Sequence, residues 1–247
     1  MKQVVIPRYG PPEVLTVREV PDPTVTPGAV RIRVRAAGIN FSDLLARQGL
    51  YPGAPQPPAV VGYEVAGVVD AVGSGASGPS VGSKVIALTK FGGQSELVVV
   101  PAVNVFPLLN EWSFEEGAAF PVVYLTAHHM LTRVAAAQRG EIVLVHAAAG
   151  GVGLAVAEVA RLLGLRVIGL ASRTKHDILR EYGVEPLDSR DARWPEAVRA
   201  VLGSPKWSRR RCRCASCPTG RGWHPRPWSR SPPVLAWSRP RRCRNTT

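Results

Sequence analysis

The spacing Ala148-x-Gly150-x-x-Gly153 carries the clearest chemistry in this chain. Small residues at these intervals let backbone N–H groups approach an anion, at the positive end of a helix, where a pyrophosphate can be held. The pattern is the dinucleotide fingerprint with alanine in the first glycine position. An ordinary glycine-rich turn has the same composition, so the flanks matter. Residues 142–145 form an apolar run suited to a buried parallel strand, and 154–164 read as a helix. Ala148, Gly150, Gly151, Val152 and Gly153 are therefore the candidate phosphate cradle. About twenty residues on, an NAD site carries Asp or Glu for the ribose 2′-OH. Here the chain reads Gly169-Leu170-Ala171-Ser172-Arg173-Thr174-Lys175, without an acid. Arg173 and Lys175 can neutralise a 2′-phosphate and Ser172 can donate to it, so NADPH is the expected cofactor. The competing reading is a solvated helix start. Against it, cations at a helix N-terminus oppose the dipole.

These groups need a frame. From residue 141 the order is strand, helix, strand (166–171), helix (175–182), short strand (184–187), helix (195–202). Such alternation predicts a parallel sheet with helices on its faces. The preceding part reads as mostly β. Residues 3–7 and 14–20 suggest a hairpin, and 29–37 a half-buried strand with alternating Val30, Ile32 and Val34. Residues 41–49 suggest a short helix, 60–72 a long apolar strand, and 84–88 and 96–100 further strands. Short strands broken by glycine and proline predict a partly closed β-barrel. Ser113-Phe114-Glu115-Glu116 is a capping box opening a helical stretch that extends to about 137 and is broken at Pro121.

Three separated motifs now agree with one family. Residues 36–43 (Ala-Ala-Gly-Ile-Asn-Phe-Ser-Asp), 62–67 (Gly-Tyr-Glu-Val-Ala-Gly) and 147–153 stand in its order and spacing. The chain resembles the medium-chain dehydrogenase/reductases, specifically the zinc-free quinone oxidoreductases that include zeta-crystallin. Residues 174–184 resemble the branch that contains the synaptic vesicle membrane protein homologues. The resemblance spans about residues 1–205. It implies an α/β chain with a GroES-like substrate and catalytic domain over 1–112 and a partial Rossmann dinucleotide-binding domain over 113–205. It also implies reduction of quinones or α,β-unsaturated carbonyls by hydride transfer, and homodimers for full-length relatives.

By the same resemblance, Asn40, Asp43 and Tyr51 line the catalytic site, and Thr126 lies near the nicotinamide. A carboxamide and a phenol can donate to a developing oxyanion. Tyr51 could relay a proton, or solvent could. Asn40 and Asp43 are also placed to cap a short helix, and Tyr51 could pack as a loop residue. Zinc-dependent relatives hold metal with a cysteine at the position of Asn40 and a histidine at that of Tyr63. The four-cysteine zinc loop is absent too, since 90–96 runs straight through. No metal site is expected in the body, because Glu64 alone cannot build one. His128 and His129 read as packing or surface residues.

The last segment is of another kind. Residues 206–247 hold eleven arginines, one lysine, no acid, all four cysteines and four of the six tryptophans. They carry +12 of the formal +13, leaving +1 for 1–205. No periodicity of helix or strand runs through this segment. The expectation is a frameshift between about Gly203 and Lys206, a sheet ending after three strands, and a disordered basic tail. On that expectation turnover is absent or very low while weak cofactor binding survives. The alternative function is an inactive fragment whose arginines bind nucleic acid non-specifically. A zinc site of Cys212, Cys214 and Cys217 with His224 or Cys243 is a further, less regular reading. No apolar run approaches the ~20 residues of a membrane span, and the N-terminus lacks a secretory apolar core. A cytoplasmic protein with a small-molecule substrate, and no specific nucleic-acid partner, is expected.

Overall fold

The computed structural model of the chain describes residues 1–202 and 234–237. They fall into two compact units, the first running to Val122 and the second beginning at Val123. In the first, β1 (Lys2–Val5) pairs antiparallel with β2 (Thr16–Glu19). Then come β3 (Ala29–Ala37), α1 (Phe41–Arg47), β4 (Glu64–Val72), β5 (Lys84–Leu88), β6 (Leu97–Pro101), β7 (Val105–Pro107) and α2 (Phe114–Ala119). The strands β6-β3-β4-β5-β7 form one antiparallel sheet, curled as a half-barrel of GroES-like type. Alternation drives it. Val30 and Ile32 turn inward against Val65, Val69, Val85 and Val98, while Arg31 and Arg33 turn outward onto Asp70. Each buried valine or isoleucine contributes about 1.5–3 kcal/mol. Register shifts in β3 between Arg31 and Ile32, and between Val34 and Ala36, kink the sheet and help it curl.

The strand expected over 60–72 starts only at Glu64. Gly62 sits at φ +103°, a left-handed conformation incompatible with strand backbone, so 60–63 become a loop. That loop matters for the site. The three-residue β7, which ends in proline, is too short for a period-2 signal and was not expected.

The capping box is as read. The Glu116 N–H donates to Ser113 Oγ at 3.1 Å, and the Ser113 N–H donates to Glu116 Oε2 at 2.8 Å. α3 (Pro121–His129) follows and ends in a π-helical turn, Met130–Val134. The second unit continues with β8 (Ile142–His146), α4 (Gly151–Leu162), β9 (Arg166–Ala171), α5 (His176–Glu181), β10 (Glu185–Asp188), α6 (Trp194–Leu202) and β11 (Val234–Trp237). The sheet order is β10-β9-β8-β11. The first three strands are parallel and β11 runs antiparallel to β8. Val143, Val145, Ala155, Val156, Ala160 and Val167 build a core between β8, β9 and α4. On the other face Leu144, Ile168 and Leu170 pack with Val198 of α6. The parallel strands are thus buried on both faces, as the Rossmann arrangement requires.

The expected end of the sheet after three strands is corrected here. Val234–Trp237 lies along the second edge of β8, so this part of the tail is strand rather than disordered chain. An edge strand presents a row of unpaired N–H and C=O groups, and a short apolar run such as Val-Leu-Ala-Trp can satisfy them. The remaining tail expectations, including disorder, nucleic-acid binding and the cysteine site, fall on residues outside those described. Among the described residues no helix is long and apolar enough to cross a membrane.

Candidate active site and cofactor cradle

In the first unit the site grows from the junction of α1 and β4. Asn40 is the N-cap of α1 in extended backbone and shares a capping box with Asp43. Its Nδ2 donates to Glu64 Oε1 at 2.7 Å. In that box the Asp43 Oδ2 accepts from the Asn40 N–H at 2.7 Å. Its Oδ1 takes the Gly62 N–H at 3.0 Å. Asp43 is 3% exposed. Burial lifts its carboxyl above the usual range, and the two backbone donors oppose that rise. Asp43 therefore ties α1 to the 60–63 loop, and both of its oxygens are engaged.

Glu64 is 2% exposed and held twice, by Asn40 and by the Val122 N–H on Oε2 at 2.7 Å. Burial pushes its carboxyl up, the Val122 and Asn40 donors pull it back, and the neighbouring Asp43 charge adds to the rise. Space around it is tight. A Cβ on Gly38 would overlap both the Glu64 side chain and the Ala118 carbonyl oxygen. The loop itself is fixed through the Gly62 carbonyl, which accepts from Thr89 Oγ1 at 2.7 Å and from the Gly93 N–H at 3.1 Å.

Tyr51 and Tyr63 stand edge to face with centroids 6.2 Å apart, and Phe91 lies 5.2 Å beyond Tyr63. Tyr51 is partly exposed, while the Tyr63 phenol oxygen is shut off from solvent and makes no hydrogen bond of ordinary geometry. Burial pushes the Tyr63 phenol up to about 12, helped by Tyr51 and Asp43 and opposed by a contact with the Ser42 hydroxyl, so it stays protonated at neutral pH. A buried hydroxyl held only by such imperfect contacts is costly. We expect Tyr63→Phe to raise stability by about 1 kcal/mol, read as a higher denaturant midpoint at unchanged slope. A lower midpoint would show that the hydroxyl has a partner.

A cavity of about 560 Å³ in the same unit is lined by Val4, Ile6, Val34, Leu44 and Arg47; of the candidate residues it reaches only Asp43. The Arg47 Nε has no hydrogen-bond partner among the described residues, and the cavity beside it has room for water. Its walls do not include Asn40 or Tyr51, so we do not read it as the substrate site.

In the second unit the cradle follows β8. Ala147, at φ +52°, makes the sharp turn that leaves the sheet. The next residue, Ala148, donates its N–H to Leu170 O at 3.1 Å and is buried. Gly150 is the N-cap of α4, and the helical ladder starts with the Leu154 N–H on Gly150 O at 2.9 Å. The N–H groups of Gly151 and Val152 precede that bond on the outer side of the turn, free of the helical ladder and available to an anion, while Gly153 is buried. The glycines are not equivalent. A Cβ on Gly153 would overlap the Ala148 carbonyl oxygen, whereas Cβ atoms on Gly150 and Gly151 would meet neighbours only at 3.3 Å. α3 packs beside this turn, with Val123 against Gly151 and Ala127 in the shared core. Thr126 is half-buried on that helix, and its hydroxyl bonds to no described residue. His128 and His129 are exposed. Tyr124 donates a short hydrogen bond to Glu158 of α4.

At the end of β9, Ser172 Oγ lies 3.2 Å from Thr174 Oγ1, and Lys175 closes a 3₁₀ turn before α5. Arg173 forms an ion pair with Asp188 through Nε at 2.8 Å. Sequence reasoning found no acid near Arg173 because Asp188 arrives from a different strand. Glu64 was also under-read. Its signal was an acid inside the apolar run from 60 to 69.

Comparison with known proteins follows this geometry. The profile of the alcohol dehydrogenase GroES-like domain matches residues 26–110. The human synaptic vesicle membrane protein VAT-1 homolog is 42% identical over 191 residues, covering 76% of this chain and 48% of that protein. The chain thus spans less than half the length of such curated relatives. The structure of Escherichia coli quinone oxidoreductase complexed with NADPH superposes with a TM-score of 0.76 at 30% identity, covering 82% of this chain and 63% of that one. An NAD-dependent alcohol dehydrogenase structure gives a TM-score of 0.76 at 33% identity, covering 82% and 68%.

Proposed function

We propose, from the premise that this chain belongs to the medium-chain dehydrogenase/reductase family on its quinone-oxidoreductase side, an NADPH-dependent and zinc-independent reductase of quinones or α,β-unsaturated carbonyls. The observation that carries this reading is the Asn40–Glu64 hydrogen bond of 2.7 Å. It fixes a carboxamide, beside a phenol pair, where the zinc-dependent relatives use a thiolate and an imidazole. Polarisation of a substrate oxygen then falls to hydrogen-bond donors.

When bound, NADPH supplies the hydride. The cradle fits it, because the helix-start N–H groups of Gly151 and Val152 are free of the helical ladder and Gly153 lets α4 come close to the turn. Ser172, Arg173 and Lys175 form a cationic, hydroxyl-bearing edge suited to a 2′-phosphate. In this reading Asn40 and Tyr51 donate to the substrate oxygen as negative charge develops on it. Tyr51 or solvent returns the proton. Asp43 and Glu64 act as positioning residues, since their oxygens are already committed to Asn40, Gly62 and Val122. Thr126 supports the nicotinamide side. We place the protein in the cytoplasm, consistent with a near-neutral charge of +1 over residues 1–205.

Fluorescence titration of the full chain tests the cofactor. NADPH is expected to bind about tenfold more tightly than NADH, the worth of one charge-assisted contact. Equal or tighter NADH binding would sink this reading. NADPH oxidation by a quinone should persist after extensive chelation. Its loss on chelation would overturn the zinc-independent part.

A further inference from the structure

The C-terminal ends of β9 and β10 lie at one level, with Ala171 opposite Asp188. Asp188 is bound from two sides. Its Oδ2 accepts from Arg173 Nε at 2.8 Å, and its Oδ1 accepts from the Arg190 N–H at 2.9 Å. The Ser189 N–H donates to Ala171 O at 2.9 Å, pinning this turn to the neighbouring strand. The Arg190 N–H and then Arg173 hold the Asp188 carboxyl below its usual range, so it is an anion at neutral pH. The Arg173 side chain is 78% exposed and that of Asp188 only 17%. The Nη groups of Arg173 make no hydrogen bond to a described residue, although the Asp191 carboxylate lies near enough for its charge to act on Arg173, and the guanidinium of Arg190 bonds to no described residue.

An acid at this end of the sheet would ordinarily be read as the acceptor for a ribose 2′-OH, which favours NAD. Asp188 is poorly placed for that task, because a donor already occupies each of its oxygens. Its charge is also outweighed by Arg173, Lys175 and Arg190. We propose that Asp188 is a positioning residue for 2′-phosphate recognition. It clamps Arg173 through Nε, leaving both Nη groups for the phosphate, and it shapes the turn that supplies Arg190 as a further cation. This rests on the NADPH reading above and adds Asp188 and Arg190 to it. The gain is conformational. A free arginine side chain has many rotamers to lose, and a clamp reduces what is lost on binding.

The test uses the full chain with two probes, adenosine 2′,5′-bisphosphate and ADP, by calorimetric titration. Asp188→Ala is expected to weaken the bisphosphate about fivefold and leave ADP unchanged. The same change in an Arg173→Ala background should have no further effect. Asp188→Asn, which keeps an acceptor for the Arg190 N–H, should fall between. Arg190→Ala should weaken the bisphosphate and flatten its salt dependence. Tighter bisphosphate binding in Asp188→Ala would mean that Asp188 only competes with the phosphate, and would overturn the proposal. Equal weakening of both probes would assign Asp188 a merely structural role and overturn it as well. A wild-type preference for the bisphosphate that Asp188→Ala does not alter sinks the clamp alone. No wild-type preference sinks the NADPH reading with it.

Discussion

Gly153→Ala is expected to destabilise the second unit by about 3 kcal/mol and to weaken NADPH binding at least about tenfold. The new methyl would overlap the carbonyl oxygen of Ala148 and lie 2.6 Å from its carbonyl carbon and Cα. These are backbone atoms and cannot swing aside. The turn and α4 must separate, which moves the open N–H groups of Gly151 and Val152 away from a shared anion. Gly151→Ala is the control. Its methyl would meet only the Val123 Cγ1 at 3.3 Å, a side-chain contact with room to adjust. Denaturant midpoints and NADPH titrations of the two variants should therefore differ sharply. Equal effects would show that loss of glycine, rather than close approach at 153, is what the turn resists.

Glu64→Ala is expected to cost about 3 kcal/mol, among the largest losses for a polar residue in the first unit. It leaves the Asn40 amide and the Val122 N–H without an acceptor and opens a void beneath them. Glu64→Gln should be far milder, because Asn40 can turn its amide to offer oxygen to the new NH₂. The pH dependence separates these effects. Burial raises the folded carboxyl above its unfolded value. Over that interval the folded state holds more protons, so this group's contribution to stability falls as pH rises. Glu64→Gln removes the fall, and its stability relative to wild type should improve from the acid side toward neutral pH. Chemical denaturation at a series of pH values measures this. A relative stability that declines with rising pH would contradict the assignment.

Much of the frame could be read from residue order. The Ser113–Glu116 capping box, the strand–turn–helix that starts at 142 and the alternation along 29–37 are local signals, and each appears in place, although α4 spans Gly151–Leu162 where 154–164 was expected. Strand ends were less legible. The run 60–72 is apolar throughout, and nothing in its composition shows that Gly62 takes φ +103° and delays β4 to Glu64. The pairing of Val234–Trp237 with β8 was also hidden, because strand pairing depends on which edge is open in space.

The same division holds for the candidate site. The sequence by itself determined the residue types: a glycine turn after a buried strand, cations without an acid after β9, and asparagine and tyrosine in place of metal ligands. Those are properties of one segment at a time, and they specify which chemistry the chain can offer. Tertiary structure decided how each group is used. Asn40 and Asp43 both looked able to cap α1. The fold joins them in one capping box and also sends the Asn40 Nδ2 to Glu64, 24 positions away in the chain. Arg173 looked like an unopposed cation, and the fold sets Asp188 against it across two parallel strands. A side chain's partner is fixed by distance in the folded state, and separation along the chain carries almost no information about that distance once strands from different segments share a sheet.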